Sequence, residues 1–172
     1  MGSQQILAAP IATGLPLPMT HLPTGYTMKT SLFLRIASVI SLLFAAGHTL
    51  GGRKSWTFTG ETEVLQPMRT FRIETMGVTR TYMDFYRGFG FTLSVYLLLQ
   101  AVVLWQLAAL ARTNPSQVRP IILSMTVASV VNAVLTWRYI FPVPAVFGLA
   151  VTAFLIAAFV AAGQDVTPLA AR

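Results

Sequence analysis

Cysteine is missing from all 172 residues. Its absence excludes disulfides, thiolate nucleophiles, cysteine-ligated iron–sulfur clusters and covalently attached c-type haem. Acidic residues are scarce too, with Asp and Glu totalling 5 against 12 Lys and Arg, for a formal charge of +7. Such a balance invites nucleic acid as a partner, yet no run of five like charges occurs and the basic residues scatter through loops and helix ends. Nucleic-acid binding is therefore not expected. The enrichment of Lys and Arg in cytoplasmic loops and beside anionic lipid headgroups accounts for the same charge. There is no HExxH motif, no Walker phosphate loop and no GxGxxG, since Gly88-Phe89-Gly90 lacks both the third glycine and a preceding strand. Nothing supports a zinc protease, an ATPase or a dinucleotide enzyme.

Charge of either sign is absent from four long stretches, Ile36–Gly52, Gly88–Ala111, Pro120–Trp137 and Tyr139–Gln164. At about 1.5 Å per residue, even the 18-residue Pro120–Trp137 stretch covers roughly 27 Å as a helix, close to the ~30 Å hydrocarbon core of a bilayer. With 55% hydrophobic residues, 10% charged residues and a mean hydropathy of +0.67, the chain is too apolar for a soluble domain with a polar exterior. The expected fold is all-α: an integral membrane four-helix up-down bundle with one long loop and an extended Pro-rich N-terminal leader. The expected units are the leader 1–27, the transmembrane domain 28–165 and a tail 166–172, with spans at 31–50, 83–111, 119–140 and 144–163.

Residues 1–27 hold four prolines, three glycines and no charge, with neither helical nor alternating apolar periodicity. This leader is expected to order only against a partner. Met28 opens a basic start, an apolar run and small residues, which is also the pattern of a secretory signal peptide. The three spans that follow favour a first transmembrane helix instead. Thr81 with Asp84 three residues later fits a capping box for the second span. Asn114-Pro115-Ser116 marks one short turn, and Pro142 and Pro144 break the last two apolar stretches into a helical hairpin. Only the loop Gly51–Thr81 is long. In it, the spacing of Pro67, Met68, Phe71, Arg72 and Met76 predicts a short interfacial or surface helix. Arg112 and Arg119, in a loop without acids, put both termini in the cytoplasm, whereas Arg53, Lys54, Arg69, Arg72 and Arg80 in the long loop argue the opposite.

An up-down arrangement gathers His48, Asp84, Tyr86, Arg87, Trp137 and Arg138 at one membrane face. One reading is a polar pocket in which Asp84 pairs with Arg87 or Arg138 and His48 serves as a base or ligand. The other is an interfacial layer, with Trp56, Tyr82, Tyr86, Trp137 and Tyr139 as an aromatic belt and the arginines reaching to phosphates. His21 and His48 are the only histidines, so a protein-only zinc site is not expected; a single axial ligand, His48, is enough for a haem-like or chlorophyll-like macrocycle. Ser129, Asn132 and Thr136 share one face of the third span and are expected to contact other helices, with Gln100 as a partner for Asn132. Small residues at Ser124, Ala128 and Asn132, and at Ala153, Ala157 and Ala161, predict close helix packing.

The segments GHTLGG (47–52) and DFYRGFGFTLSVYLLLQ (84–100), with the chain's size and four spans, resemble small four-helix bacterial inner-membrane proteins of the broad DoxX-like kind. The resemblance implies a left-handed four-helix bundle in the cytoplasmic membrane and carries no catalytic residue onto any position. The expected function is an accessory or scaffolding subunit of a larger membrane complex, with membrane lipids and other membrane subunits as partners. The alternative is a small membrane enzyme or carrier that acts on an apolar ligand (lipid, quinone or pigment) through His48, Asp84, Arg87, Asn132 and Arg138.

Overall fold

The computed structural model describes residues 24–54 and 63–164; the leader residues 1–23, Trp56 and the tail lie outside them. The described chain runs α1 (Thr24–Gly52), α2 (Leu65–Thr70), β1 (Arg72–Thr75), β2 (Val78–Thr81), α3 (Tyr82–Leu110), α4 (Pro115–Tyr139) and α5 (Pro142–Gln164). Four of these helices, α1, α3, α4 and α5, are long and apolar enough to cross a membrane. α1 begins at Thr24, inside the segment expected to be extended. α4 starts at Pro115 rather than near 119, because a proline at the first helical position gives up an N–H that would have no partner there anyway. Pro142 and Pro144 open α5 for the same reason, since the first four N–H groups of a helix are unpaired.

Three antiparallel pairings hold the long helices together. Ser38 Oγ donates to the Ala101 carbonyl at 2.7 Å and Gln100 Nε2 donates to Ser41 Oγ at 3.1 Å, joining α1 to α3. Phe33 packs on Phe154 and Phe44 stacks on Phe147 at 5.0 Å, joining α1 to α5. Ser129 bonds Thr152 and Ala133 lies against Gly148, joining α4 to α5. The start of α1 and the end of α5 therefore share one end of the stack with the α3–α4 turn, here called the turn end. The other end carries the β-hairpin.

The core is uneven along this axis. Toward the turn end all four helices meet, with Leu34, Leu104, Ile122 and Leu155 fully buried in one cluster. Toward the hairpin end a smaller cluster of Phe44, Ala45 and Leu97 draws on α1 and α3, with Phe147 of α5 beside it, and receives nothing from α4. There α4 stays on α5 and parts from α3, which it scarcely touches. Of the most apolar stretch of each long helix, α4 has only 17% buried, against 33–44% for the others.

The long loop departs from the expected helix. α2 ends at Thr70, and Arg72 to Thr81 form a two-stranded antiparallel hairpin with Thr75 opposite Val78. Met76 (φ 50°) and Gly77 (φ 78°) make the two-residue turn. Positive φ at both positions suits the right-handed twist of the strands, and Ile73, Thr75, Val78, Thr79 and Thr81 supply the β-branched residues that favour them. Phe71 and Met76 thus fall outside the helix that their spacing predicted.

Candidate functional site

The parting of α3 from α4 opens a cleft of about 380 Å³ midway along the helices. Its floor is built from Ser41 and Phe44 of α1 and Phe147, Gly148 and Val151 of α5. Leu93, Tyr96, Leu97 and Gln100 form the α3 wall, and Ser124, Met125, Ala128, Ser129 and Asn132 form the α4 wall. The residues of each wall recur at three and four positions, the spacing that places side chains on one helical face.

Most polar groups around the cleft are already engaged. The Gln100 amide donates to the buried Ser41 hydroxyl, so it bonds α1 rather than the expected Asn132, although both amides line the same cleft. Thr152 Oγ1 lies 2.9 Å from Ser129 Oγ and 2.8 Å from the Gly148 carbonyl, and Ser129 Oγ lies 3.4 Å from that carbonyl. Thr136 turns back on the carbonyls of Asn132 and Ala133. Ser129 therefore meets another helix, as expected, whereas the hydroxyl of buried Thr136 bonds within its own helix. Asn132 is exposed on the cleft wall, and among the described residues nothing is bonded to its side-chain amide. Ser124 and Ala128 are also exposed there, and Ala153 is exposed on α5. Of the expected α5 stripe Ala161 is buried and Ala157 half-buried, and Gly148, Ala158 and Ala162 join the packed small-residue surface, which the periodicity of α5, apolar on every side, could not single out.

The polar residues expected at one face all lie toward the hairpin end of the helices, but at separate sites there rather than in one pocket. His48 Nδ1 lies 3.1 Å from Ser94 Oγ on the α1–α3 seam, with Phe44 edge-on to its ring. Arg138 lies over the Tyr139 ring at 5.7 Å, and Trp137 beside it is exposed. Tyr86 and Arg87 are exposed near the start of α3. Asp84 lines a surface groove with Arg69, Arg72 and Arg80 under the hairpin, apart from the cleft. Its carboxylate accepts from Thr81 N at 2.8 Å and Thr81 Oγ1 at 2.9 Å, while Asp84 N donates back to Thr81 Oγ1 at 3.1 Å. The capping box read from the sequence is present. It engages the carboxylate that the pocket reading paired with Arg87 or Arg138, because a side chain at the third helical position reaches its own cap without ordering a distant partner. Among the described residues, no group of three His, Cys, Asp or Glu side chains could hold a metal ion.

Asp84→Asn should therefore lower thermal stability in detergent slightly, by removing a negative charge from the positive end of α3. Combined with Arg138→Gln, the losses should be additive within the error of the melting curves. Coupling between the two would restore the shared pocket.

Compared with known proteins, the chain matches no family model, no curated protein and no solved structure.

Proposed function

We propose that the chain is a multi-pass membrane protein that works without catalysis, as an accessory or scaffolding subunit whose α3/α4 cleft receives a transmembrane helix of a partner. The observation that carries this reading is the exposed amide of Asn132 on the least buried of the four long helices. An amide facing hydrocarbon without a partner is costly, and a neighbouring helix that bonds it relieves that cost. Ser124 and Ala128 on the same wall are small enough to let another backbone approach closely. The DoxX-like resemblance adds an inner, cytoplasmic membrane to the proposal. Arg112 and Arg119, with no acid between them, support cytoplasmic termini.

One observation favours a second reading, in which the cleft holds an apolar ligand such as a lipid, quinone or pigment. Its 380 Å³ volume falls within the ~300–1,000 Å³ of small-molecule sites, and Tyr96, Gln100, Asn132 and three serines line it among apolar side chains. His48, Asp84, Arg87 and Arg138 line other surfaces, so on this reading Asn132 acts with Gln100.

Purification of the full chain in mild detergent separates the two readings. The subunit reading expects a stoichiometric membrane protein to co-purify, and Asn132→Leu to release it. A monodisperse protein carrying a bound small molecule, lost in Asn132→Leu, would replace the subunit reading with the ligand reading.

A further inference from the structure

We propose that the groove between the start of α1 and the end of α3, where Lys29, Arg35 and Arg112 converge, binds the phosphate of an anionic lipid headgroup. The proposal rests on the membrane-spanning reading above and is independent of what fills the cleft. The groove encloses about 280 Å³, and Met28, Ser31 and Leu32 complete its lining.

Depth is the first argument. Arg35 immediately precedes the charge-free stretch Ile36–Gly52 and so stands at the turn-end border of the first span. Its guanidinium sits 5.2 Å from the ring centroid of Trp105, itself five residues short of the end of α3, so both side chains belong to the interfacial belt. A guanidinium held at that border lies at the level of the lipid phosphates, which can meet it as counter-charge.

Charge balance is the second. The described acids, Glu63, Glu74 and Asp84, all belong to the hairpin end. Asp165 follows Gln164 of α5, a helix that contributes nothing to the groove, and lies outside the described residues. The counter-charge for Arg35 and Arg112 therefore comes from outside the described chain, and a planar guanidinium matches phosphate oxygens in a two-bond geometry. Exposed Leu32 and Met28 at the rim provide an apolar track for an acyl chain leaving the headgroup. The guanidiniums of Arg35 and Arg112 repel the choline of a zwitterionic lipid, so the site selects for net negative headgroups.

The test uses the full chain in mild detergent with equal phosphatidylglycerol and phosphatidylcholine, and bound lipid is counted by native mass spectrometry. Retention of phosphatidylglycerol should exceed that of phosphatidylcholine, and Arg35→Gln and Arg112→Gln should each weaken it about fivefold. Arg53→Gln, at the hairpin end, should leave it unchanged. Equal retention of the two lipids, or wild-type preference in Arg112→Gln, overturns the proposal even if Arg35→Gln fails to fold. Displacement of the lipid by millimolar inorganic phosphate would reassign the groove to soluble phosphate and overturn the lipid assignment. A protein that needs no detergent to stay in solution would instead overturn the membrane reading itself, which makes the two failures distinguishable.

Discussion

Gly148→Leu should detach α4 from α5 and lower the melting temperature in detergent by about 2–12 °C. A Cβ at position 148 would lie 3.3 Å from Ala133 Cβ, already tighter than ordinary packing, and 3.5 Å from Ala133 Cα, and leucine adds three further carbons. Ala133 is buried and sits on a rigid helix, so relief requires the two backbones to move apart. Overpacking of this kind costs roughly 1–3 kcal/mol, and each kcal/mol shifts a chain of this size by about 2–4 °C. The separation also weakens the bonds that Ser129 makes to Thr152 and to the Gly148 carbonyl. Because α4 packs on α5 and scarcely on α3, no second interface compensates along the hairpin half. Helicity should survive, since each spanning helix keeps its own backbone bonds, so the loss should be read by thermal aggregation or size exclusion rather than by circular dichroism. Gly148→Ala should give a smaller loss of the same kind. A leucine variant melting with the wild type would mean that the α4–α5 crossing is looser than described.

The second large effect is retention in the membrane pellet after alkaline carbonate washing, which should be essentially complete. Large aliphatic side chains stand exposed on all four long helices, among them Leu43 (60%), Val95 (64%), Val134 (61%) and Leu149 (59%). An apolar exterior of that extent far exceeds the patches of a few hundred Å² that soluble monomers tolerate. Four spans of 23–29 residues are held by burial that no change of pH or salt reverses, unlike an amphipathic helix lying at the surface. Release into the supernatant would end the membrane reading, and the cleft and the basic groove would then have to be explained as surfaces in water.

The sequence by itself determined the helices and several of their ends. Charge-free runs of bilayer length leave helices as the economical way to satisfy every backbone group, and that logic needs no knowledge of neighbours. The Thr81–Asp84 box and the Asn114-Pro115 turn were legible for the same reason, since caps and turns are decided within a few residues. The hairpin at 72–81 was also local, but the helical spacing of Pro67, Met68 and Phe71 masked it. Met76 and Gly77 in the left-handed region, flanked by β-branched residues, are the signal that would have revealed it.

The tertiary structure alone decided which faces meet. On helices that are apolar all round, periodicity does not distinguish a side chain facing a neighbour from one facing lipid, because both surroundings are equally apolar. Shape decides instead: Gly148 fits against Ala133, whereas Ala153 on the same helix stays outside. The same selection directed Gln100 to Ser41 and left Asn132 on the wall of a cleft. That cleft exists because α4 follows α5 away from α3 beyond the shared core of Ile122 and Leu104, a consequence of packing between segments far apart in the chain that no local pattern of residues encodes.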